Sequence, residues 1–260
     1  MDAQRGRFDL AVQLHGSGPQ SSAFVLGLDA PLTAGFYPAQ EVQPSPLFLP
    51  WDERENEVTR WLRLVSHMGI EAEDTALSFP ATSGDRKEVE RLKLENALSA
   101  PYLLLHPGAA TEAKRWSVAQ FAEVGHAAQR LGLQVAITGS LGEVELAQRL
   151  QRLLPRAINL AGKTELGTLA ALLRDAHLLV CNDTGVSHLA AAMKTPSVVL
   201  FSETDPARWA PLDVSRHVAI NVKQNASTET VLAATHSLLG GSYEHPDLAR
   251  PRGVPLLPNP

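Results

Sequence analysis

Polar residues gather where short apolar runs end, and their types suit oxygen-rich ligands. Asn182-Asp183-Thr184-Gly185 follows the apolar run Leu178 to Cys181; apolar residues then recur at helical spacing from Val186, Pro196 closes that segment, and Ser197 to Phe201 is apolar again. A buried strand, a tight turn, a helix and a second strand read as a βαβ unit. In such units strand ends and helix N-termini open onto one edge of the sheet, where ligands bind. The unpaired N–H groups and partial positive charge of a helix start suit a phosphate or sugar oxygen. Asp183, Thr184 and His188 fall on that edge. An Asp or Thr there also serves as an ordinary helix cap, and a lone His one turn into a helix is more often packed than catalytic.

Three more clusters share the edge. HPGAATEAKRW (106–116) combines Gly108 for close backbone approach, the Thr111 hydroxyl and the compact charge of Lys114, a set that a diphosphate requires. A solvated helix start accounts equally well for Lys114-Arg115 taken alone. TGSLGE (138–143) places Glu143 just past a strand end, where an acidic side chain can take ribose hydroxyls or simply complement a helix dipole. Ser202-Glu203-Thr204-Asp205-Pro206 is the last cluster, readable also as a capped turn. Neither G-x-x-x-x-G-K-[ST] nor G-x-G-x-x-G occurs, which disfavours a nucleotide P-loop and an NAD-dependent dehydrogenase.

The elements that position these clusters alternate strictly. Strands are predicted at 102–106, 133–138, 157–160, 178–181, 197–201 and 217–221, with helices at about 117–131, 142–153, 165–175, 185–193 and 227–239. Such alternation implies a parallel sheet covered on both faces, an α/β fold of Rossmann-like size. Earlier, a strand over 8–14 runs into His15-Gly16-Ser17-Gly18 and a helix over 21–28. Five prolines between 31 and 50 predict a long surface connection. A helix follows over 53–68 with Gly69 as its cap, and another over 86–98. Three segments result: an N-terminal domain over 1–84, a ligand-binding domain over 85–240, and a Pro/Gly-rich tail over 241–260.

Composition narrows the function class. A formal net charge of −5 over 260 residues leaves no basic footprint for nucleic acid. Cys181, the single cysteine, lies in a predicted buried strand and rules out an intrachain disulfide. No run reaches the length that spans a bilayer, and the start lacks the apolar centre of a signal peptide. These features predict a cytoplasmic protein and are compatible with contact at a membrane surface.

In order and spacing, HPGAATEAKRW, TGSLGE, NLAGKTEL, NDTGVSHLAAA and PSVVLFSETDP resemble glycosyltransferase family 9, the ADP-heptose:lipopolysaccharide heptosyltransferases. The likeness spans about 8–239 and is strongest over 102–211. It implies a GT-B architecture: a complete C-terminal Rossmann-like domain for the nucleotide sugar and a partial N-terminal one for the lipid-linked acceptor. Carried over by motif, Thr111 and Lys114 bind the donor diphosphate, Glu143 the ribose, and Lys163-Thr164 lies along the adenine. Asp183 holds sugar hydroxyls, Thr184 and Gly185 approach the phosphates, and His188 supports them. The implied activity is inverting, metal-independent transfer of heptose from ADP-heptose to the lipopolysaccharide inner core, at the cytoplasmic face of the inner membrane. No cofactor is expected, since Lys114 and the helix dipole can stabilise the leaving diphosphate.

Two departures stand out. Members of the family open with a strand and a glycine loop bearing an aspartate thought to be the general base, and this chain is expected to lack that part, roughly half of the domain. His15, at a strand end beside a glycine turn, is then the one candidate base in the remaining N-terminal segment, histidine being a common general base. Ser202-Glu203 replaces a glycine-proline pair. The alternative function is therefore a donor-binding but inactive family member.

Overall fold

A computed structural model describes residues 6–99, 101–223 and 227–240. The expected tail over 241–260 lies outside the described residues. The chain divides into two compact units: Met1–Thr75 with Ala207–Ala210, and Ala76–Pro206 with Pro211–Pro260.

In the first unit, β1 (Leu10–Val12), α1 (Pro19–Leu26), β2 (Leu32–Pro38), β3 (Leu47–Trp51) and α2 (Glu57–His67) follow one another. The strands form a parallel sheet of order β1-β2-β3. Phe36 and Leu64 are fully buried between sheet and helix, and Trp51 and Trp61 meet the Phe36 ring edge-on with centroids 5.5 and 5.4 Å away. Asn56 caps α2 by accepting from Val58 N at 3.0 Å, and Gly69 ends it at φ +84°.

The surface connection expected over 31–50 is instead β2 and β3. The prolines do not break these strands because of where they fall: Pro31 precedes β2, Pro38 ends it, and Pro44 and Pro46 occupy the turn. Pro50 lies within β3, but β3 is an outer strand with a partner on one side only, where a missing N–H need not remove a ladder bond.

The second unit runs through α3 (Ser83–Glu95), β4 (Tyr102–His106), α4 (Val118–Arg130), β5 (Gln134–Ile137), α5 (Val144–Leu153), β6 (Ile158–Asn159), α6 (Leu166–Arg174), β7 (Leu178–Asn182), α7 (Gly185–Ala192) and β8 (Ser197–Phe201), and, after the short α8 (Pro206–Trp209), most of which is counted with the first unit, through β9 (His217–Asn221) and α9 (Thr228–Leu238). All six strands are parallel, in the order β6-β5-β4-β7-β8-β9. Every residue of β4, β7 and β8 is buried, which is why each is an apolar run with a single polar residue at one end, His106, Asn182 and Ser197 respectively. Leu103, Leu105, Val180 and Leu200 pack against Phe121 and Val124 of α4, Leu150 of α5 and Val231 of α9.

This order fixes where a ligand can sit. The chain winds outward from β4 through β5 to β6, then returns to lay β7 on the other side of β4 and winds away through β8 and β9. Right-handed crossovers then place the helices of the two halves on opposite faces. The direction reverses between β4 and β7, and the crevice beyond their carboxyl ends is the switch point at which open α/β sheets bind ligands.

The division at Thr75/Ala76 falls before the junction expected at 84/85. The helix α3 belongs wholly to the second unit, packing on α6 so closely that a Cβ on Gly167 would come within 2.2 Å of Asp85 Oδ1. The chain also returns to the first unit at 207–210. There Arg208 Nε lies 2.6 Å from Glu57 Oε1, and Asn56 Nδ2 donates to Ala210 O at 3.0 Å. No periodicity in the sequence marks such a return.

Candidate functional site

The loop after β4 and the turn after β7 are joined by one buried side chain. Asn182, with no exposed surface, accepts from Trp116 N at 2.9 Å through Oδ1 and donates through Nδ2 to Pro107 O at 2.8 Å and Gly108 O at 3.3 Å. A carboxylate could not donate and an aliphatic chain could do neither, so an amide suits the position. Trp116 anchors the far end of the loop, packing edge-to-face on Phe121 at 5.2 Å.

So held, the loop brings Lys114 to the turn. Its Nζ lies 3.3 Å from Asp183 Oδ2, which also accepts from the Thr204 hydroxyl. Asp183 is 6% exposed. A cation and an anion within reach of one crevice offer one partner for a phosphate and another for hydroxyls. Ser202 Oγ donates to Ala113 O at 2.9 Å, which fastens the β8 turn to the same loop.

Beside this pair opens a cavity of about 740 Å3. Its polar wall includes His106, Ser140, Glu143, Thr164, Thr184 and His188, together with the backbone of Gly185 at the start of α7. Leu77, Phe79, Leu166, Leu169, Val186 and Leu189 make the apolar wall. A crevice lined by both apolar and polar side chains suits a ligand with a flat ring and an oxygen-rich remainder.

Of the residues singled out from sequence, the structure sets Glu143, Thr164, Thr184, Gly185 and His188 on this cavity and pairs Lys114 with Asp183 at its border. Thr111 is exposed at the start of the 3-10 turn Glu112–Lys114. Lys163 turns elsewhere: its Nζ donates to Asn96 Oδ1 at 3.1 Å, and it lines a separate cavity with Gln148 and Asn159. His15 belongs to the first unit and is exposed; Gln13 Oε1 holds its N–H at 2.9 Å and its carbonyl accepts from Ser21 Oγ. Sequence reasoning missed Leu77 and Phe79, which sit in an irregular stretch without period. Thr204 and His106 stood inside clusters already noted, but nothing marked their contacts.

Burial shifts the histidines. His106 and His188 are pushed below the usual imidazole range by burial, with Glu143 and Asp183 respectively opposing. His217, whose Nδ1 lies 2.8 Å from Ser197 Oγ on the buried side of β9, is lowered by burial, with Asp213 opposing it and Arg216 reinforcing it. Each binds a proton less readily folded than unfolded. The unfolded chain therefore holds more protons between those lowered values and about 6.5, and stability present above about 6.5 is lost as pH falls. The thermal midpoint is expected to drop between pH 7.5 and 5.5, with each histidine contributing up to about 1.4 kcal/mol per pH unit. A midpoint that is level or rises over that range would refute the assignment of three neutral imidazoles.

Known proteins match this chain along most of its length. Residues 3–236 match glycosyltransferase family 9 (heptosyltransferase). Lipopolysaccharide heptosyltransferase 3 of Escherichia coli is 31% identical over 165 residues, 60% of this chain and 47% of that one. Lipopolysaccharide heptosyltransferase 1 of Pseudomonas aeruginosa is 32% identical over 189 residues, 70% and 49% respectively. The chain thus spans about half the length of these curated relatives. Among solved structures, a glycosyl transferase family 9 protein from Veillonella parvula superposes with TM-score 0.73 at 19% identity, covering 92% of this chain and 75% of that one. The Escherichia coli ADP-heptose lps heptosyltransferase II superposes with TM-score 0.69 at 22% identity, covering 90% and 77%. These likenesses establish the GT-B fold, with Rossmann-like α/β units.

Proposed function

Because the chain belongs to glycosyltransferase family 9, we propose that its second unit binds a nucleotide-activated heptose, ADP-heptose, and that the chain acts in heptosyl transfer to the lipopolysaccharide inner core. The observation behind this reading is the meeting of Lys114, Asp183 and the start of α7 at the β4/β7 switch point, beside a cavity walled by Glu143.

In this reading Lys114 and the N–H groups at the start of α7 hold the diphosphate, and Thr111 closes on it from the loop. Glu143 takes the ribose, Thr164 and the apolar wall the adenine, and Asp183 the heptose hydroxyls, with His188 supporting the turn. Transfer inverts the anomeric carbon: an acceptor hydroxyl attacks from the face opposite the diphosphate, its proton passes to a general base or to solvent, a new C–O bond forms, and the bond to the diphosphate breaks with its electron pair leaving on the diphosphate. Lys114 and the helix dipole stabilise the charge that develops on the leaving group, so the step needs no metal. The acceptor is lipid-linked, which places the reaction at the cytoplasmic face of the inner membrane. No helix among the described residues is long and apolar enough to cross a membrane.

A second reading, donor binding without transfer, is favoured by the state of His15. Its ring is exposed and only its backbone is held, by Gln13 and Ser21, whereas a general base is ordinarily positioned by a partner.

The test separates nucleotide from sugar. Calorimetric titration of Asp183→Asn is expected to show ADP-heptose affinity reduced about tenfold or more, with ADP affinity much less affected, since a carboxylate accepts from hydroxyls and repels a diphosphate. Equal losses for both ligands would return Asp183 to a capping role. Transfer to a heptose-deficient lipopolysaccharide then decides between the two readings.

A further inference from the structure

Glu143 is wedged among groups that a helix cap alone does not require. Its Oε2 accepts from Ser140 N at 2.7 Å and Ser140 Oγ at 2.8 Å, the reciprocal contacts of a capping box. The carboxylate also lies on the bare backbone of Gly108, where an added Cβ would come within 2.0 Å of Oε1. On the inner side His106 Nε2 stands 3.9 Å from Oε2. His106 is 5% exposed, and its Nδ1 is fixed 3.0 Å from Thr138 Oγ1. A cap in water needs neither the glycine floor nor a buried imidazole behind it.

The donor order follows from the neighbours. Thr138 Oγ1 reaches both Leu105 O at 3.5 Å and, more closely, His106 Nδ1 at 3.0 Å; a carboxylate is best faced by an N–H, so we assign the hydroxyl proton to the shorter contact and the ring proton to Nε2, on the side of Glu143. Burial lowers the His106 pKa against the opposing charge of Glu143 and so favours the neutral ring, which faces the carboxylate without cancelling its charge. Oε2 takes both hydrogen bonds from Ser140 and Oε1 rests over Gly108, so neither Glu143 oxygen is free to swing, and the carboxylate they fix lines the cavity.

We propose that His106 is a positioning residue that aims Glu143 into the cavity and thereby sets a preference for ribose-bearing over ribose-lacking diphosphates. The inference rests on the nucleotide-site reading above, with Glu143 on the ribose. His106 also borders the cavity, and the role inferred for it is exerted through Glu143.

The test compares pyrophosphate, ADP and 2′,3′-dideoxy-ADP by calorimetry. The unaltered chain is expected to prefer ADP over the dideoxy compound by about tenfold or more, as charge-assisted hydrogen bonds warrant. His106→Gln keeps an N–H near the Nε2 position and is expected to retain that preference. His106→Asn keeps only a group near Nδ1, and His106→Phe keeps neither, so both are expected to lower the preference to within about threefold. Pyrophosphate affinity in the variants should stay close to that of the parent, which also reports folding of the site. Should His106→Phe fail to fold, His106→Asn and Thr138→Val decide, the latter releasing the ring while leaving it in place. Full preference retained in folded His106→Asn and Thr138→Val would overturn the proposal. If the unaltered chain binds pyrophosphate and ADP without preferring ADP to its dideoxy analogue, the ribose role of Glu143 falls and this inference with it, while the diphosphate site stands. If it binds none of the three, the proposed function itself fails.

Discussion

Lys114→Ala is expected to weaken ADP binding by roughly 1.5 to 3 kcal/mol, about 10- to 150-fold, the worth of a hydrogen bond to a charged group. Lys114 Nζ rests 3.3 Å from Asp183 Oδ2, so under the proposed function the lysine faces two anions, the buried carboxylate and a bound diphosphate. Removing it therefore also leaves Asp183, 6% exposed, with the Thr204 hydroxyl but without its countercharge. A double-mutant cycle with Asp183→Asn separates the two effects: a direct contact with the diphosphate predicts that Lys114→Ala still costs affinity in the Asp183→Asn background. Lys114→Arg is not expected to restore the parent value fully, because a planar fork does not reproduce a compact ammonium in a fitted loop. ADP affinity unchanged in Lys114→Ala would leave Lys114 as no more than the partner of Asp183.

Asn182→Ala is expected to cost the second unit as much stability as truncating a large core side chain, roughly 2 to 5 kcal/mol. The variant strands the Trp116 N–H and the Pro107 and Gly108 carbonyls, all now bonded to one side chain without exposed surface, and each stranded buried group costs about 1 to 3 kcal/mol unless water reaches it. Such a loss is a large fraction of the 5 to 15 kcal/mol typical of a domain. Asn182→Asp is expected to be no milder, since it keeps the acceptor for Trp116 N but turns a second oxygen toward the Pro107 carbonyl. Chemical denaturation of both variants measures the loss. A cost below about 0.5 kcal/mol for Asn182→Ala would mean that the loop is held by Trp116 packing alone.

The second unit was legible because its physics is local and repetitive. Strands buried on both faces are apolar through their middles, as in Leu103–Leu105 and Val198–Phe201, and the helices between them carry one apolar face each. The first unit was harder. Leu32–Pro38 holds a threonine, a glycine and a terminal proline, and only its place between two other strands explains why it is extended. In the site, the edge was readable from strand ends, so Glu143, Asp183 and Thr184 could be named. What joins them was not: Lys114 to Asp183, Asn182 to Trp116 and His106 to Glu143 are contacts across dozens of residues, set by strand order. Lys163 shows the converse, since adjacency to Thr164 in sequence did not bring it to the same cavity.

The strand order β6-β5-β4-β7-β8-β9 also bears on how the chain comes off the ribosome. Tyr102–His106 can pair with Gln134–Ile137 early, but its other edge stays bare until Leu178–Asn182 has been translated. At 5 to 20 residues per second that wait lasts roughly 4 to 15 seconds, during which a row of unpaired amides and an apolar strand face the cytosol. The strand that closes this edge ends in Asn182 and leads directly into Asp183. Protection of the nascent sheet and completion of the ligand crevice are thus one event, and a ribosome stalled short of Asn182 would carry an aggregation-prone half-sheet with no site at all.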